Sequence, residues 1–162
     1  LAAGFLPGRY RRNRETVTVE EQLRLFRSRV VVIGCGGLGG YIVEQLARVG
    51  VGELVLVDPD VFEEHNLNRQ LLSSPAHLGR AKVEVGCERV AAVNPAVTTV
   101  GHQVAFSTEN GRGLLAGSSA VVSRASAARA SPIQSCAARV RASRVSSASE
   151  AASSNPSSMS SS

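Results

Sequence analysis

The residues of this chain able to do chemistry begin with the glycines Gly34-x-Gly36-x-x-Gly39, with Gly37 inside the same run. Glycines at this spacing permit a tight turn and let backbone N–H groups approach an anion. A helix starting there adds about half a positive charge where phosphates would sit. Asp58 follows at the separation, about 20 residues, from which a carboxylate can accept from ribose hydroxyls. It opens the segment Asp58-Pro-Asp-Val-Phe-Glu-Glu-His-Asn-Leu-Asn-Arg-Gln70, rich in side chains that bind phosphate, ribose and metal. Asp58 and Asp60 suit ribose or a cation. Asn66 can hold a phosphate oxygen, Arg69 offers a two-pronged fork to polyphosphate, and Gln70 closes the segment. Lys82 lies downstream as either a phosphate ligand or a solvated charge. Arg12, in Arg9-Tyr-Arg-Arg-Asn13, belongs to a solvated arm or to an element that reaches a phosphate. The chemistry these types share is the holding of a nucleotide.

Elements must place them. Residues 30–33 are an unbroken β-branched run that reads as a strand buried on both faces. A helix follows the glycines with Leu38, Ile42, Leu46 and Val49 along one side, ending at Gly50. Residues 53–58 give a second strand, so the glycines sit in a β-α-β unit, the context in which their spacing has meaning. Ahead of it, residues 1–14 read as irregular. Thr18 and Glu21 form a capping box for a helix that turns Leu23 and Phe26 inward. Behind it, a helix is expected over residues 75–93, burying Leu78, Val83, Val85, Val90 and Val93 and stopped by Asn94-Pro95. A strand over 97–100, a helix over 108–116 capped by Thr108, and a strand over 119–122 complete the alternation. The expected fold is α/β, a Rossmann-like doubly wound, mostly parallel sheet with right-handed crossovers, incomplete at its C-terminal side.

Composition narrows the function. The chain has 162 residues and a formal net charge of +5. Residues 1–122 carry 13 Arg or Lys against 12 Asp or Glu, whereas residues 123–162 carry five Arg against Glu150 alone. The basicity is a property of the end of the chain, which argues against a nucleic-acid surface. No apolar run is long enough for a membrane span. The three cysteines, Cys35, Cys87 and Cys136, have no metal spacing, so no metal site is expected from them and a reducing, cytoplasmic setting fits. Of the last 40 residues, 15 are Ser and 10 are Ala, a composition expected to be disordered. The chain therefore divides into an arm and helix (1–28), a nucleotide-binding domain (29–122) and a tail (123–162).

The combination Gly34-Cys-Gly-Gly-Leu-Gly39, Asn66-Leu-Asn-Arg-Gln70 and Gly79-Arg-Ala-Lys82 resembles the ThiF/MoeB/HesA family, bacterial relatives of the ubiquitin-activating enzyme. The resemblance runs from about residue 9 to residue 122. It implies an adenylyltransferase that uses ATP and Mg²⁺ to activate the C-terminal carboxylate of a ubiquitin-like sulfur-carrier protein. By position, Asp58 matches the ribose ligand, and Asn66, Arg69 and Lys82 match residues around the phosphates. Arg12 matches the arginine that reaches the partner subunit's site in a homodimer. A nicotinamide- or flavin-dependent oxidoreductase would share only the glycines and Asp58.

The sequence also departs from that family. Its members follow the fourth strand with Asp-x-x-Asp, whose second aspartate positions the magnesium; here those places are Ser123 and Ser126. Impaired turnover, or an inactive nucleotide-binding remnant, is the expectation. The abrupt change after residue 122 reads as a shifted frame or as a truncated relative with a tail.

Overall fold

The computed structural model describes residues 6–123, in which strands and helices alternate as expected. Strands β1 (Arg29–Ile33), β2 (Glu53–Val57), β3 (Thr98–His102) and β4 (Ala120–Ser123) form one sheet in the order β3-β2-β1-β4. Every pairing in it is parallel. Successive strand residues point to opposite sides, and the runs RVVVI and ELVLV are apolar on both. Val30, Val32, Leu54 and Leu56 pack on one face with Val43 and Ala47 of α2 (Gly37–Val49) and Val83 and Val90 of α3 (Lys82–Val93). Val31, Val55 and Val57 pack on the other with Leu114 and Leu115 at the end of α4 (Thr108–Leu114). Each such side chain contributes about 1.5–3 kcal/mol when fully buried. The sheet is thus doubly wound, and its order reverses at β1, which has β2 on one side and β4 on the other.

Several local expectations are corrected. Residues 75–77 form a single 3-10 turn, and the helix starts only at Lys82. Leu78 is extended (ψ 132°) and Gly79 left-handed (φ +79°), so the chain cannot stay helical there, and Leu78 is exposed. Phe26 does not turn inward from α1 (Val19–Phe26); it is 40% exposed. The buried residue of α1 is Gln22, whose amide donates to the Val49 carbonyl and accepts from Asn13. On α2 the buried stripe is Gly40, Val43, Glu44 and Ala47, with Leu38 exposed. Ser107, not Thr108, caps α4, and β3 runs on to His102. The Thr18–Glu21 capping box is present.

Residues 8–15 are a 3-10 helix rather than irregular. Tyr10 anchors it at the C-terminal end of α2, its buried ring lying against Gly50. A Cβ on Gly50 would fall 2.6 Å from that ring, and φ there is +89°, so glycine is required twice over. The Tyr10 hydroxyl accepts from Asn94 Nδ2 at 2.8 Å; the same amide donates to the Ala47 carbonyl, and Arg9 donates to Asn94 Oδ1. No helix of the described residues is long and apolar enough to cross a membrane. The expectations for Ser126, Cys136 and the tail lie outside the described residues.

Candidate functional site

Because all four strands are parallel, their C-terminal ends share one edge, and the segments leaving β1 and β2 carry the candidate residues. After β1 the chain turns at Gly34 (φ +90°), whose N–H donates to the Val57 carbonyl at the end of β2. A Cβ on Gly39 would sit 1.7 Å from the Gly34 carbonyl oxygen. That close approach lets α2 begin directly above the strand. Its N-cap is Gly36, which provides no side-chain cap, and a Cβ on Gly37 would meet nothing within 4 Å. The first N–H groups of α2 thus have no side-chain cap at the reversal of strand order, where open parallel sheets bind ligands.

Asp58 leaves the end of β2 and is buried. Its Oδ2 accepts from the Cys35 N–H at 2.6 Å and its Oδ1 from the Asp60 N–H at 2.9 Å. The carboxylate thus ties the second strand to the glycine turn, and each oxygen keeps lone-pair capacity for a ligand hydroxyl. Burial pushes the Cys35 thiol up to about 12, with the Asp58 carboxylate adding to the rise and Lys82 opposing it. This cysteine is a protonated packing residue at neutral pH. Burial also raises the Cys87 thiol.

The 58–82 connection folds back over the glycines. Asn66 is buried, and its side-chain oxygen accepts from the Glu63 N–H at 3.1 Å while its carbonyl accepts from the Gln70 N–H. Arg69 is exposed and donates to the His65 carbonyl and to Asn68 within its own turn. Gln70 is buried, and its carboxamide lies over Gly36. Lys82, at the first position of α3, is 5% exposed. Its Nζ donates to Asp60 Oδ2 at 2.9 Å and its backbone N–H to the Asp60 carbonyl at 3.0 Å.

The structure therefore gathers Gly34, Gly36, Gly37, Gly39, Asp58, Asp60, Gln70 and Lys82 around one edge. Asn66 directs its carboxamide oxygen into the loop itself. Arg12 stands apart: it is exposed, pairs with Glu15, and lies two residues from Tyr10 at the far end of α2. The 13 residues of α2 put roughly 20 Å between that end and the glycine turn, more than an arginine side chain spans. An uncapped helix start and an unpaired buried carboxamide suit a nucleotide. Among the described residues no three His, Cys, Asp or Glu side chains converge, the Asp60 carboxylate is paired with Lys82, and β4 ends on Ser123 with no carboxylate to offer. The buried polar roles of Tyr10, Gln22 and Asn94 go beyond the sequence, in which Tyr10 stands only within the basic arm and Asn94 only as a helix stop. Gln22 alone carried a signal, as a polar residue inside an apolar stripe.

The profile of the ThiF family matches residues 10–154, past residue 122 and into the Ser/Ala-rich segment. The SAMP-activating enzyme E1 of Haloferax volcanii is 43% identical over 108 residues, covering 67% of this chain and 40% of that protein. The probable adenylyltransferase/sulfurtransferase MoeZ of Mycobacterium tuberculosis is 39% identical over 92 residues, 57% of this chain and 24% of that one. Among solved structures, the E. coli tRNA N6-threonylcarbamoyladenosine dehydratase TcdA in complex with ATP aligns with a TM-score of 0.69 at 28% identity, covering 71% of this chain and 48% of that one. The chain thus spans less than half the length of each of these proteins.

Proposed function

The chain belongs to the ThiF family, and from that premise we propose that it supplies the ATP-binding half of an adenylyltransferase acting on the C-terminal carboxylate of a ubiquitin-like sulfur-carrier protein. The observation that carries this reading is the pairing of an uncapped α2 start with a buried lysine, Lys82, on the ligand edge of the sheet. The names of the relatives, a SAMP-activating enzyme and an adenylyltransferase/sulfurtransferase, and the ATP held by the TcdA structure, support it.

In the proposed reaction a carboxylate oxygen of the carrier bonds to the α-phosphorus as the bond to the bridging oxygen breaks, giving acyl-adenylate and pyrophosphate. An anion attacking an anion requires positive charge around the phosphorus. The N–H groups opening α2 hold phosphate oxygens. Lys82, released from Asp60, neutralises the polyphosphate, and Arg69 leaves its own turn to clamp it. Asp58 holds the ribose while keeping the turn closed. Arg12, out of reach of its own glycines, serves the site of a second copy, which makes the working unit a homodimer. Magnesium, when bound, would supply further charge neutralisation, but of the two aspartates of the family segment, replaced here by Ser123 and Ser126, it is the second, at Ser126, that would position it. The chain as it stands therefore binds ATP and forms adenylate poorly.

Exchange of labelled pyrophosphate into ATP, with the SAMP protein as carrier, tests this. The expected result is weak exchange by the unaltered chain and a clear gain on S123D/S126D. Strong exchange without the substitutions would refute the role given to the missing acids. ATP binding with no exchange in either form would favour a nucleotide-binding module.

A further inference from the structure

Gln70 is 8% exposed, and its Oε1 is the one fully buried side-chain oxygen or nitrogen among the described residues with no hydrogen-bond partner. Such an orphan is costly and rare in a native fold. The loop does not leave it there for want of control: the Gln70 N–H donates to the Asn66 carbonyl, and its own carbonyl accepts from the N–H and the hydroxyl of Ser73. That pinned backbone aims the carboxamide at the glycine turn, with Oε1 3.5 Å from where a Gly36 Cβ would stand. An unpaired acceptor thus lies beside the uncapped start of a 13-residue helix.

The two features call for different parts of one ligand. The helix N–H groups and Lys82 are donors and satisfy phosphate oxygens, which carry no proton to give back to Oε1. A donor must come from elsewhere on the ligand. Asp58, an acceptor on this edge that, unlike Asp60, is not paired with Lys82, is tied through the Cys35 N–H to the residue preceding Gly36, so it and Gln70 both border the same turn. Both Asp58 oxygens already accept a backbone N–H. A ribose presents two adjacent hydroxyls, the kind of donor that an acceptor beside the turn lacks. Resting on the ATP reading above, we propose that Gln70 is a specificity-determining residue that accepts a hydrogen bond from a ribose hydroxyl, so that it reads the sugar of the nucleotide and not its phosphates.

Calorimetric binding of ATP, 2′-deoxy-ATP, 3′-deoxy-ATP and tripolyphosphate to the unaltered chain, Gln70→Met and Gln70→Glu tests this. Met keeps the length without the acceptor; Glu keeps the acceptor. The unaltered chain is expected to prefer ATP over one deoxy analogue by about five- to tenfold, the worth of one neutral hydrogen bond. Q70M should lose that preference while holding tripolyphosphate as before, and Q70E should keep the preference even if every affinity falls. Equal weakening of ATP and tripolyphosphate by Q70M would assign the carboxamide to phosphate, and no change in any ligand would make it a buried filler; either overturns the proposal. Failure of the unaltered chain to bind ATP would overturn the nucleotide reading together with it. ATP binding without sugar preference would overturn this proposal alone.

Discussion

Lys82 occupies a costly position. A cation at the first residue of a helix opposes the helix dipole by a few tenths to about 1 kcal/mol, and removing an ammonium from water costs several kcal/mol unless it is paired. Asp60 offsets both, yet Asp60 is itself largely exposed. The buried partner is therefore the cation, and the exposed carboxylate can turn to solvent when a stronger anion arrives. A triphosphate is such an anion. Asp60→Asn is expected to raise the affinity for ATP about two- to fivefold by freeing the lysine, and Lys82→Ala to lower it at least about tenfold, of the order of one charge-assisted hydrogen bond. Both are read by calorimetry at fixed salt. If neither moves ATP binding, the pair is a strut between the 58–82 loop and α3 and nothing more.

At the scale of elements, α2 is held at both ends by features of different legibility. Its start was plain in the sequence, because a strand that breaks into glycines and resumes as a helix has few other solutions. Its far end was not. Gln22 and Asn94 satisfy the Val49 and Ala47 carbonyls from 27 and 47 residues away in the chain, and such partners leave no periodicity to read. The same limit explains α3: Pro75 is a good first residue for a helix, and only the left-handed Gly79 shows that the turn it opens does not continue. Phe26 misled for a related reason, since the apolar stripe of α1 points its Leu25 to the core and leaves the neighbouring ring outside.

The helices α2 and α3 are also joined by charge. Glu44 is buried and accepts from Arg89 at 2.6 Å and from Arg48 at 2.6 Å. The Arg89 hydrogen bond, followed by that of Arg48, holds its carboxyl below the ordinary 4.5 despite burial. A carboxylate with a depressed folded-state value contributes stability that is present above 4.5 and lost as the pH falls through that lower value. Thermal unfolding of the unaltered chain should therefore fall more steeply below about pH 4.5 than that of Glu44→Gln, while at pH 7 the variant loses about 1–2 kcal/mol, the arginines being free to turn to water. Parallel acid profiles for the two would place the α2–α3 adhesion in Val43, Val83 and Val90 alone.

For the whole molecule, four parallel strands in the order β3-β2-β1-β4 put every candidate ligand group on one edge and leave the arm bearing Arg12 at the other end of α2. The sheet, its direction and the glycine edge were legible because buried parallel strands are apolar on both faces and because the turn chemistry between them is narrow. The packing of Gln70 and the withdrawal of Arg69 into its own turn were not legible, since both depend on how the 58–82 loop folds back. A nicotinamide dinucleotide would use the same glycines and Asp58, so the nucleotide this edge takes separates the two readings. Thermal unfolding of this chain with Mg·ATP and, separately, with NAD is the direct measurement. Protection by Mg·ATP that is lost in Lys82→Ala, with no shift from NAD, is the result expected. Protection by NAD, or none by Mg·ATP, would contradict it.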